Sequence, residues 1–408
     1  MSESIITRRD SGGYAKVTFD NVSPLSKSIA SGFIEKKVKY SATTVGNYAL
    51  FGGGYADVER IGVYRDVTST VDAYNTNLIR STPTDLSVAR SNLAATTVGN
   101  YGLFGGGFCN EGSDNVFSTV DAYNTNLTRS TPTELSVARF NLAATTVGGY
   151  ALFGGGERWS WDVISCATVD AYNTNLTRST PTELSVARYS LAATTVGGYA
   201  LFGGGFCSVD GFYHSTVDAY NTNLTRSTPT ELSVAREDLA ATTVGNYALF
   251  GGGGRSFDFY YSTVDAYNTN LTRSTPTDLS AERSSLAATT VGGYALFGGG
   301  EKYEYGVFRS LSIVDVYNSS LTRMCTDPLN SSADEFDATT VGDYALFGVN
   351  IDSPVSAYYI KLIKIQLYPG TKYKFSNMSS EATSLTFQEI TLSPPISGYI
   401  KIKDATIN

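Results

Sequence analysis

Histidine, tryptophan and cysteine are scarce in this sequence of 408 residues, which has one His, two Trp and four Cys. The single histidine, His214, stands in a variable loop without a partner histidine, and a Ser-His-Asp relay would depend on it alone. We therefore expect no metal site, no cofactor and no enzymatic activity. The cysteines form no CxxC motif, and we interpret them as free thiols rather than disulfide partners. They are Cys109, Cys166, Cys207 and Cys325.

Basic charge and long apolar segments are scarce as well. Charged residues make up 17%, the net charge is −8 and the pI is near 4.9. This balance argues against a nucleic acid or an anionic membrane as partner, since either would require a basic face. No segment approaches the ~18 apolar residues of a membrane span. The first ten residues lack the apolar core of a secretory signal, so we expect synthesis in the cytoplasm without membrane insertion.

One phrase, Ala-Thr-Thr-Val-Gly-x-Tyr-x-Leu-Phe-Gly, occurs seven times at intervals of about 50 residues. A fixed period of this size indicates stacked supersecondary units, each too small to bury its apolar face alone. The phrase is rich in β-branched and aromatic residues and in glycine, which favours short strands and tight turns. Its first glycine is Gly46, Gly99, Gly148, Gly197, Gly245, Gly292 or Gly342.

The copy between residues 142 and 188 predicts four strands. Strand A is 142–147, strand B is 150–153 and strand C is 168–172, each separated from the next by glycines or a variable loop. Strand D, 176–184, contains Pro181, which restricts it to the edge of the sheet because proline cannot donate to the ladder. Four antiparallel strands in about 50 residues are typical of a propeller blade.

The repeat resembles that of kelch-repeat propellers over residues 38 to 364. In that family an apolar strand ends in paired glycines, a tyrosine-bearing strand follows, and an arginine closes the unit. Phe153-Gly154-Gly155, Tyr172 and Arg188 match this pattern, as do their counterparts in the other copies. The family's tryptophan, six or seven residues after the tyrosine, is missing, and Arg178 or Ser179 stands there instead.

These observations predict an all-β protein with a seven-bladed β-propeller of four-stranded antiparallel blades and small β extensions at both ends. The expected domains are residues 1–27, the propeller 28–363 and a C-terminal module 364–408 for attachment or oligomerisation. The N-terminal residues 28–37 are expected to supply strand D of the seventh blade. The alternative is that 363–367 completes that blade and that the first 37 residues pack outside.

The copies differ almost only between strands B and C, and at two residues after the closing arginine. In an antiparallel blade the B–C and D–A connections share one face, so both variable segments lie together. Aromatic residues with small polar neighbours fill them, which is the chemistry of antibody-like binding loops and of sugar stacking. Neutral loop drift is the alternative. The candidate ligand-binding residues are Tyr55, Tyr64, Phe108, Phe117, Phe140, Trp159, Trp161, Tyr189, Phe206, Phe212, Tyr213, Phe257, Phe259, Tyr260, Tyr303 and Tyr305.

Two charged positions also repeat. An aspartate on strand C is expected to satisfy backbone or interblade groups, because a catalytic carboxylate would be singled out in one or two blades. The closing arginines form either interblade ion pairs or an anion-binding ring. These arginines are Arg90, Arg139, Arg188, Arg236 and Arg283.

The pattern predicts a recognition protein whose variable face binds a cell-surface glycan or protein target. Near-identical repeats with diversified loops suit a phage or phage-tail receptor-binding protein, attached to a virion or to other copies through its termini. Two alternatives stay open: an intracellular kelch-type interaction scaffold, and a carbohydrate-active propeller enzyme.

Overall fold

A computed structural model describes most of the chain. The described residues are 2–8, 14–20, 25–29, 37–56, 66–109, 115–160, 162–255, 259–304, 306–348, 355–360, 364–367, 372–373, 390–391 and 398–401. All regular structure within these ranges is β, and no helix there is long and apolar enough to cross a membrane. Seven four-stranded antiparallel sheets form a propeller ring, as the repeat predicts.

Each blade contains four strands in the order A-B-C-D. Strand A is Ser41–Val45, Ala94–Val98, Ala143–Val147, Ala192–Val196, Ala240–Val244, Ala287–Val291 or Ala338–Val341. Strand B is Tyr48–Gly52, Tyr101–Gly105, Tyr150–Gly154, Tyr199–Gly203, Tyr247–Gly251, Tyr294–Gly298 or Tyr344–Phe347. Strand C is Val71–Asn75, Val120–Asn124, Val169–Asn173, Val217–Asn221, Val264–Asn268, Val314–Tyr317 or Ser356–Ile360. Strand D is Arg80–Ser81, Arg129–Ser130, Arg178–Ser179, Arg226–Ser227, Arg273–Ser274, Arg323–Cys325 or, in blade 7, Leu25–Ile29.

Strand D is shorter than the sequence suggested. In blade 3 it covers only Arg178–Ser179 instead of 176–184. The side-chain oxygen of Asn173 accepts the backbone N–H groups of Asn175 and Thr177 at 2.9 and 3.0 Å, which extends the turn into the predicted strand. Pro181 cannot donate a ladder hydrogen bond, so pairing does not resume beyond Ser179.

The chain divides into two compact units, Lys27–Tyr359 and the combination of Met1–Ser26 with Ile360–Asn408. The second unit contains three antiparallel pairs: Ser2–Arg8 with Tyr14–Asp20, Lys364–Leu367 with Gly398–Lys401, and Lys372–Tyr373 with Ile390–Thr391. Lys364–Leu367 therefore does not complete blade 7, which rules out the alternative closure. The N-terminal strand Leu25–Ile29 does so, a few residues before the expected 28–37.

The blades interlock through strand B. Its middle residues are buried on both faces, and the phenylalanine near its end points at the preceding blade. A Cβ on Gly154 would lie 2.7 Å from the ring of Phe202, so only glycine leaves room for the next blade's aromatic ring. The same glycine–phenylalanine contact recurs at six blade interfaces. Within each blade this ring meets the strand C tyrosine edge-on, as with Phe153 and Tyr172 at 6.0 Å.

A closed circle of backbone hydrogen bonds joins the seven blades at the axis. One residue from each D–A connection donates its N–H to the carbonyl of its counterpart in the preceding blade, at 2.7 to 3.1 Å. All seven have φ between 50° and 54°, a left-handed conformation that is uncommon outside glycine. The circle runs through Lys39, Asn92, Asn141, Ser190, Asp238, Ser285 and Glu335, and closes from Glu335 back to Lys39.

Each closing arginine crosses to the next blade and meets the aspartate on its strand C. The side-chain N–O distance is 2.8 or 2.9 Å in all five pairs, and each of the five guanidinium groups is completely buried. At Asp265 the second carboxylate oxygen also accepts from Arg273 of its own blade at 2.8 Å and from the Ser233 N–H at 3.1 Å. The repeated charges are thus structural and link neighbouring blades.

Asp265 allows the buried and the half-exposed arginine to be compared on one carboxylate. Replacing Arg236 with Met leaves a buried carboxylate short of its main partner, and we expect a loss of about 3–5 kcal/mol in the free energy of unfolding. Arg273→Met is the matched control, because that side chain is 26% exposed and its pair should contribute about 1 kcal/mol or less. Urea unfolding of both variants measures the difference. Equal losses would contradict the structural role given to the buried pair.

Candidate functional site

The variable B–C segments fold into β-hairpins that project from the blades. The paired strands in blades 3 to 6 are Glu157–Ser160 with Asp162–Ser165, Phe206–Cys207 with Phe212–Tyr213, Gly254–Arg255 with Phe259–Tyr260, and Glu301–Glu304 with Val307–Ser310. In blade 1, Tyr55–Ala56 pairs with both Asp66–Val67 and Lys37–Val38. In blade 2, the described part of this segment is bridged between Phe108 and Val116.

The two variable segments are hydrogen-bonded to each other. The residue after the closing arginine pairs with the first residue of the hairpin, as Tyr189 does with Phe206 through two N–H···O bonds of 3.0 Å. The same bridge joins Ser91 to Phe108, Phe140 to Glu157, Glu237 to Gly254, and Ser284 to Glu301. This pairing places the hairpins and the D–A connections on one face, here called the variable face.

The predicted aromatic residues divide into three groups by exposure. Trp159, Phe212, Phe259 and Tyr303 are exposed, with Phe212 the most open at 67%. Phe108, Phe117, Tyr189, Phe206, Tyr213 and Tyr260 are half-buried, and Tyr55 and Phe140 are buried. Tyr64, Trp161, Phe257 and Tyr305 lie outside the described residues. Three further apolar side chains on the same hairpins are exposed and were not among the predicted residues: Val209, Val307 and Phe308. The two valines lack an aromatic ring, and Phe308 pairs with Tyr303 on the second strand of its hairpin.

The buried aromatic residues support the hairpins instead of facing outward. Tyr55 meets Phe108 edge-on at 6.1 Å, Phe108 lies 4.5 Å from Phe140, and Phe140 stacks on Trp159 at 6.5 Å. This row of rings runs beneath the hairpins of blades 1 to 3. Tyr55 and Phe140 therefore have too little open surface to contact an external ligand, and their role is to hold Phe108 and Trp159 in place.

The arginine ring considered from the sequence has no accessible surface. Arg90, Arg139, Arg188, Arg236 and Arg283 are each 0% exposed and engaged with aspartates. Of the two roles weighed for them, the geometry matches interblade ion pairing. An external anion has no route to these guanidinium groups in this conformation.

A polar cavity of about 460 Å³ lies where the D–A connections meet, and we call it the axial cavity. Its wall carries the seven left-handed residues, which differ from blade to blade: lysine, two asparagines, two serines, aspartate and glutamate. In five blades this residue is the second of the two variable residues that follow the closing arginine, which is how the sequence marked the wall. The lining residues are Lys39, Tyr40, Asn92, Leu93, Asn141, Leu142, Tyr189, Ser190, Leu191, Glu237, Asp238, Leu239, Ser285, Leu286, Glu335, Phe336 and Asp337.

Side chains around the axial cavity form a hydrogen-bonded series. Lys39 Nζ lies 2.8 Å from a Glu335 carboxylate oxygen. The Asn92 amide donates to Asn141 at 2.6 Å, and the Asn141 amide donates to Glu157 at 2.6 Å. Hydrogen-bonding groups of both charges thus face the cavity, a wall suited to polar ligands.

Several carboxyl groups near this cavity hold their protons more tightly than usual. Burial raises the pKa of Glu157 to about 7, although the hydrogen bond from Asn141 opposes the shift. Burial and neighbouring acids raise the pKa of Glu301 to about 7 as well. The adjacent Glu237 and Asp238 also have raised pKa values, first from burial and, for Glu237, from the charge of Asp238. Protonated carboxyl groups can donate hydrogen bonds at near-neutral pH.

Glu157 predicts a pH dependence of stability. A carboxyl whose pKa is higher in the folded state stabilises the fold fully below its unfolded pKa, and this contribution is lost as pH rises through about 7. The free energy of unfolding, and with it the melting temperature, should therefore fall between pH 5 and pH 8. Glu157→Gln should make the fall in free energy smaller, by at most ~3 kcal/mol. Thermal melts across this range test it, with Glu134→Gln on the surface as control. The idea fails if both variants keep the full pH dependence.

Three potential metal ligands meet on the blade 4 hairpin. Cys207, Asp210 and His214 place one ligand atom each within 4.8 Å of the others. From the sequence, His214 was expected to have no partners for a metal; the hairpin turn supplies a thiol and a carboxylate instead of a second histidine. Cys109, Cys166 and Cys207 are free thiols, as expected.

No protein-family model and no curated protein sequence matches the chain. Among solved structures, the chain is similar to that of YjhT, with a TM-score of 0.53 and 10% identity, over 66% of this chain and 94% of that one. At this identity the likeness concerns the fold alone. Fold and comparison together define the chain as a seven-bladed β-propeller.

Proposed function

We propose that the variable face is a recognition surface for a glycan or protein on a cell surface. The distribution of exposed apolar side chains supports this most directly. Of the eight large hydrophobic residues that are exposed within the described ranges, all but Ile79 belong to the B–C hairpins of blades 3 to 6. Exposed apolar side chains that are confined to one face favour an interaction site over scattered surface residues.

The rigidity of the hairpins strengthens the proposal against neutral drift. Each hairpin is anchored at its base by the bridge to the D–A connection, and blades 3 and 4 are further joined by their hairpins through Ser165 and Ser208, whose hydroxyls lie 3.0 Å apart. Anchored aromatic residues lose little conformational entropy when they bind. On the opposite face, by contrast, the C–D turn is nearly constant between copies. In this turn an asparagine such as Asn173 accepts hydrogen bonds from two backbone N–H groups.

Within the propellers we assign the chain to the kelch type. Each residue that matches the kelch pattern makes a structural contact, which supports this assignment. Gly154 packs against the phenylalanine ring of the next blade, Tyr172 packs in the blade core, and Arg188 pairs with Asp218. An experimental structure in which the closing arginine points away from the blade interface would contradict this assignment.

We further propose binding without turnover, in the setting of a phage or phage-tail receptor-binding protein. Nearly identical scaffolds that carry different hairpins suit selection on the binding surface alone. The scaffold and enzyme alternatives make different predictions: an enzyme would consume a glycan that it binds, and an intracellular scaffold would ignore intact bacterial cells.

Removing the exposed rings should abolish recognition without unfolding the protein. The triple change of Trp159, Phe212 and Phe259 to Ala should reduce binding of the labelled protein to a glycan array and to a panel of bacterial cells by more than ~100-fold, since central aromatic anchors each contribute about 2 kcal/mol or more. Its melting temperature should stay within a few degrees, because exposed positions contribute little to stability.

The matched control for this triple variant is Ile79→Thr. Ile79 is the exposed hydrophobic residue on the opposite face, and the equivalent position is threonine in Thr128 and Thr177 and their counterparts. This variant should bind like the parent protein. Unchanged binding by the triple variant, or lost binding by Ile79→Thr, would show that the assigned face is wrong.

We propose that the unit formed by the two chain ends serves attachment or self-association. Its described residues form two-stranded pairs, and about 75 residues without disulfides make a marginal core. Truncation after Tyr359 should change the mass measured by light scattering and leave target affinity per propeller unchanged. An unchanged mass, or a lower affinity at equal mass, would refute the attachment role.

A further inference from the structure

The blade 4 hairpin brings together a thiol, a carboxylate and an imidazole in a loop of eight residues. His214 Nε2 lies 3.2 Å from Asp210 Oδ2, and the Cys207 thiol lies within 4.8 Å of a ligand atom of each of these two residues. Two ligands held at about 2.0 Å on a tetrahedral zinc lie about 3.3 Å apart, so the N–O separation already fits. The sulfur requires only a small side-chain rotation, because all three ligand atoms lie within 4.8 Å of one another.

Backbone hydrogen bonds hold each of these residues in place. The N–H of His214 donates to the Gly205 carbonyl at 2.8 Å, and its carbonyl accepts from the Arg236 N–H at 3.2 Å, which fixes it to the blade. Cys207 pairs with Phe212 across the hairpin, and its carbonyl accepts the Gly211 N–H at 2.9 Å. Gly211 has φ of 74°, which closes this tight turn.

The two oxygens of Asp210 have different partners. Oδ1 accepts the backbone N–H of Phe212 at 2.9 Å, whereas Oδ2 faces His214. One oxygen therefore orients the carboxylate and the other remains available as a ligand, the arrangement in which outer hydrogen bonds position metal ligands. Asp210 and His214 are partly accessible to solvent, with side-chain exposures of 42% and 17%, so an ion can enter from solution.

We propose that Cys207, Asp210 and His214 bind a divalent transition metal ion, with Zn²⁺ the best match to one sulfur, one nitrogen and one oxygen ligand. Binding displaces the thiol proton of Cys207 and takes the neutral imidazole of His214. Three protein ligands leave a fourth position open to water or to a donor group of another molecule. This site is independent of the recognition role, because it needs only these three residues.

The chain offers its own control in blade 2. Cys109 occupies the position equivalent to Cys207, after the same Gly-Gly-Gly-Phe sequence, and is likewise a free thiol. The sequence contains no second histidine, so the same three-residue set cannot form there. Cys109→Ser thus removes a comparable thiol without touching the proposed ligands.

The test is titration of the full chain, freed of metal by a chelator, with Co²⁺ as the spectroscopic probe and Zn²⁺ as competitor. The parent protein and Cys109→Ser should each bind one equivalent and show thiolate-to-cobalt charge transfer with tetrahedral d–d absorption, which Zn²⁺ then removes. Cys207→Ser should lose the charge-transfer band. His214→Ala and Asp210→Asn should weaken binding by at least about 10–100-fold.

All variants should melt with the parent in the presence of chelator, which separates loss of the site from loss of the fold. The inference is overturned if the parent protein shows no charge-transfer band, if Cys207→Ser retains it, or if Cys109→Ser loses it. Equal affinity in His214→Ala and the parent would overturn it as well.

Discussion

The propeller depends on five buried ion pairs that link blades 1 to 6 in succession. The closing arginine is inserted where no water can reach it, and the strand C aspartate of the following blade neutralises it. A buried pair of this kind contributes little net stability compared with apolar packing, but breaking it is costly, so it enforces one arrangement of neighbouring blades. The strand B phenylalanine also enforces this arrangement, because its ring packs against a glycine of the preceding blade where no larger residue fits.

These contacts explain why the repeats are so similar to one another. A substitution in the arginine, the aspartate or the strand-end glycine would leave a buried charge or a steric clash at an interface. The ion pair recurs at five interfaces and the glycine–phenylalanine contact at six. The seven left-handed residues at the axis add a second constraint, because their backbone hydrogen bonds must close into a circle. Their side chains are not part of that circle, which leaves the lining of the axial cavity free to differ between blades.

Sequence variation is concentrated in the hairpins because the buried contacts between blades restrict the scaffold residues. The bases of the hairpins are fixed by bridges to the D–A connections. Exposed apolar groups such as Phe212 and Phe259 can be placed on the hairpins without loss of core packing. The cluster of Cys207, Asp210 and His214 arose on the same permissive element, in one blade only, because the hairpin tolerates residues that the scaffold would reject.

The sequence alone determined the fold, the number of blades and the face that varies, because a period of about 50 residues and a strict alternation of strand and turn signals leave few other architectures. It also identified the arginines and aspartates as a repeated pair of positions, without deciding what they contact. Tertiary structure decided that question: Arg188 and Asp218 are 30 residues apart and meet only when two blades pack. It also separated supporting rings such as Phe140 from exposed ones such as Trp159, since exposure depends on neighbours from other blades. The sequence marked the variable residues of the axial cavity without showing that they enclose one, and it did not reveal the cysteine–aspartate–histidine cluster. Distances across a ring or a hairpin turn are set by three-dimensional packing and not by spacing along the chain.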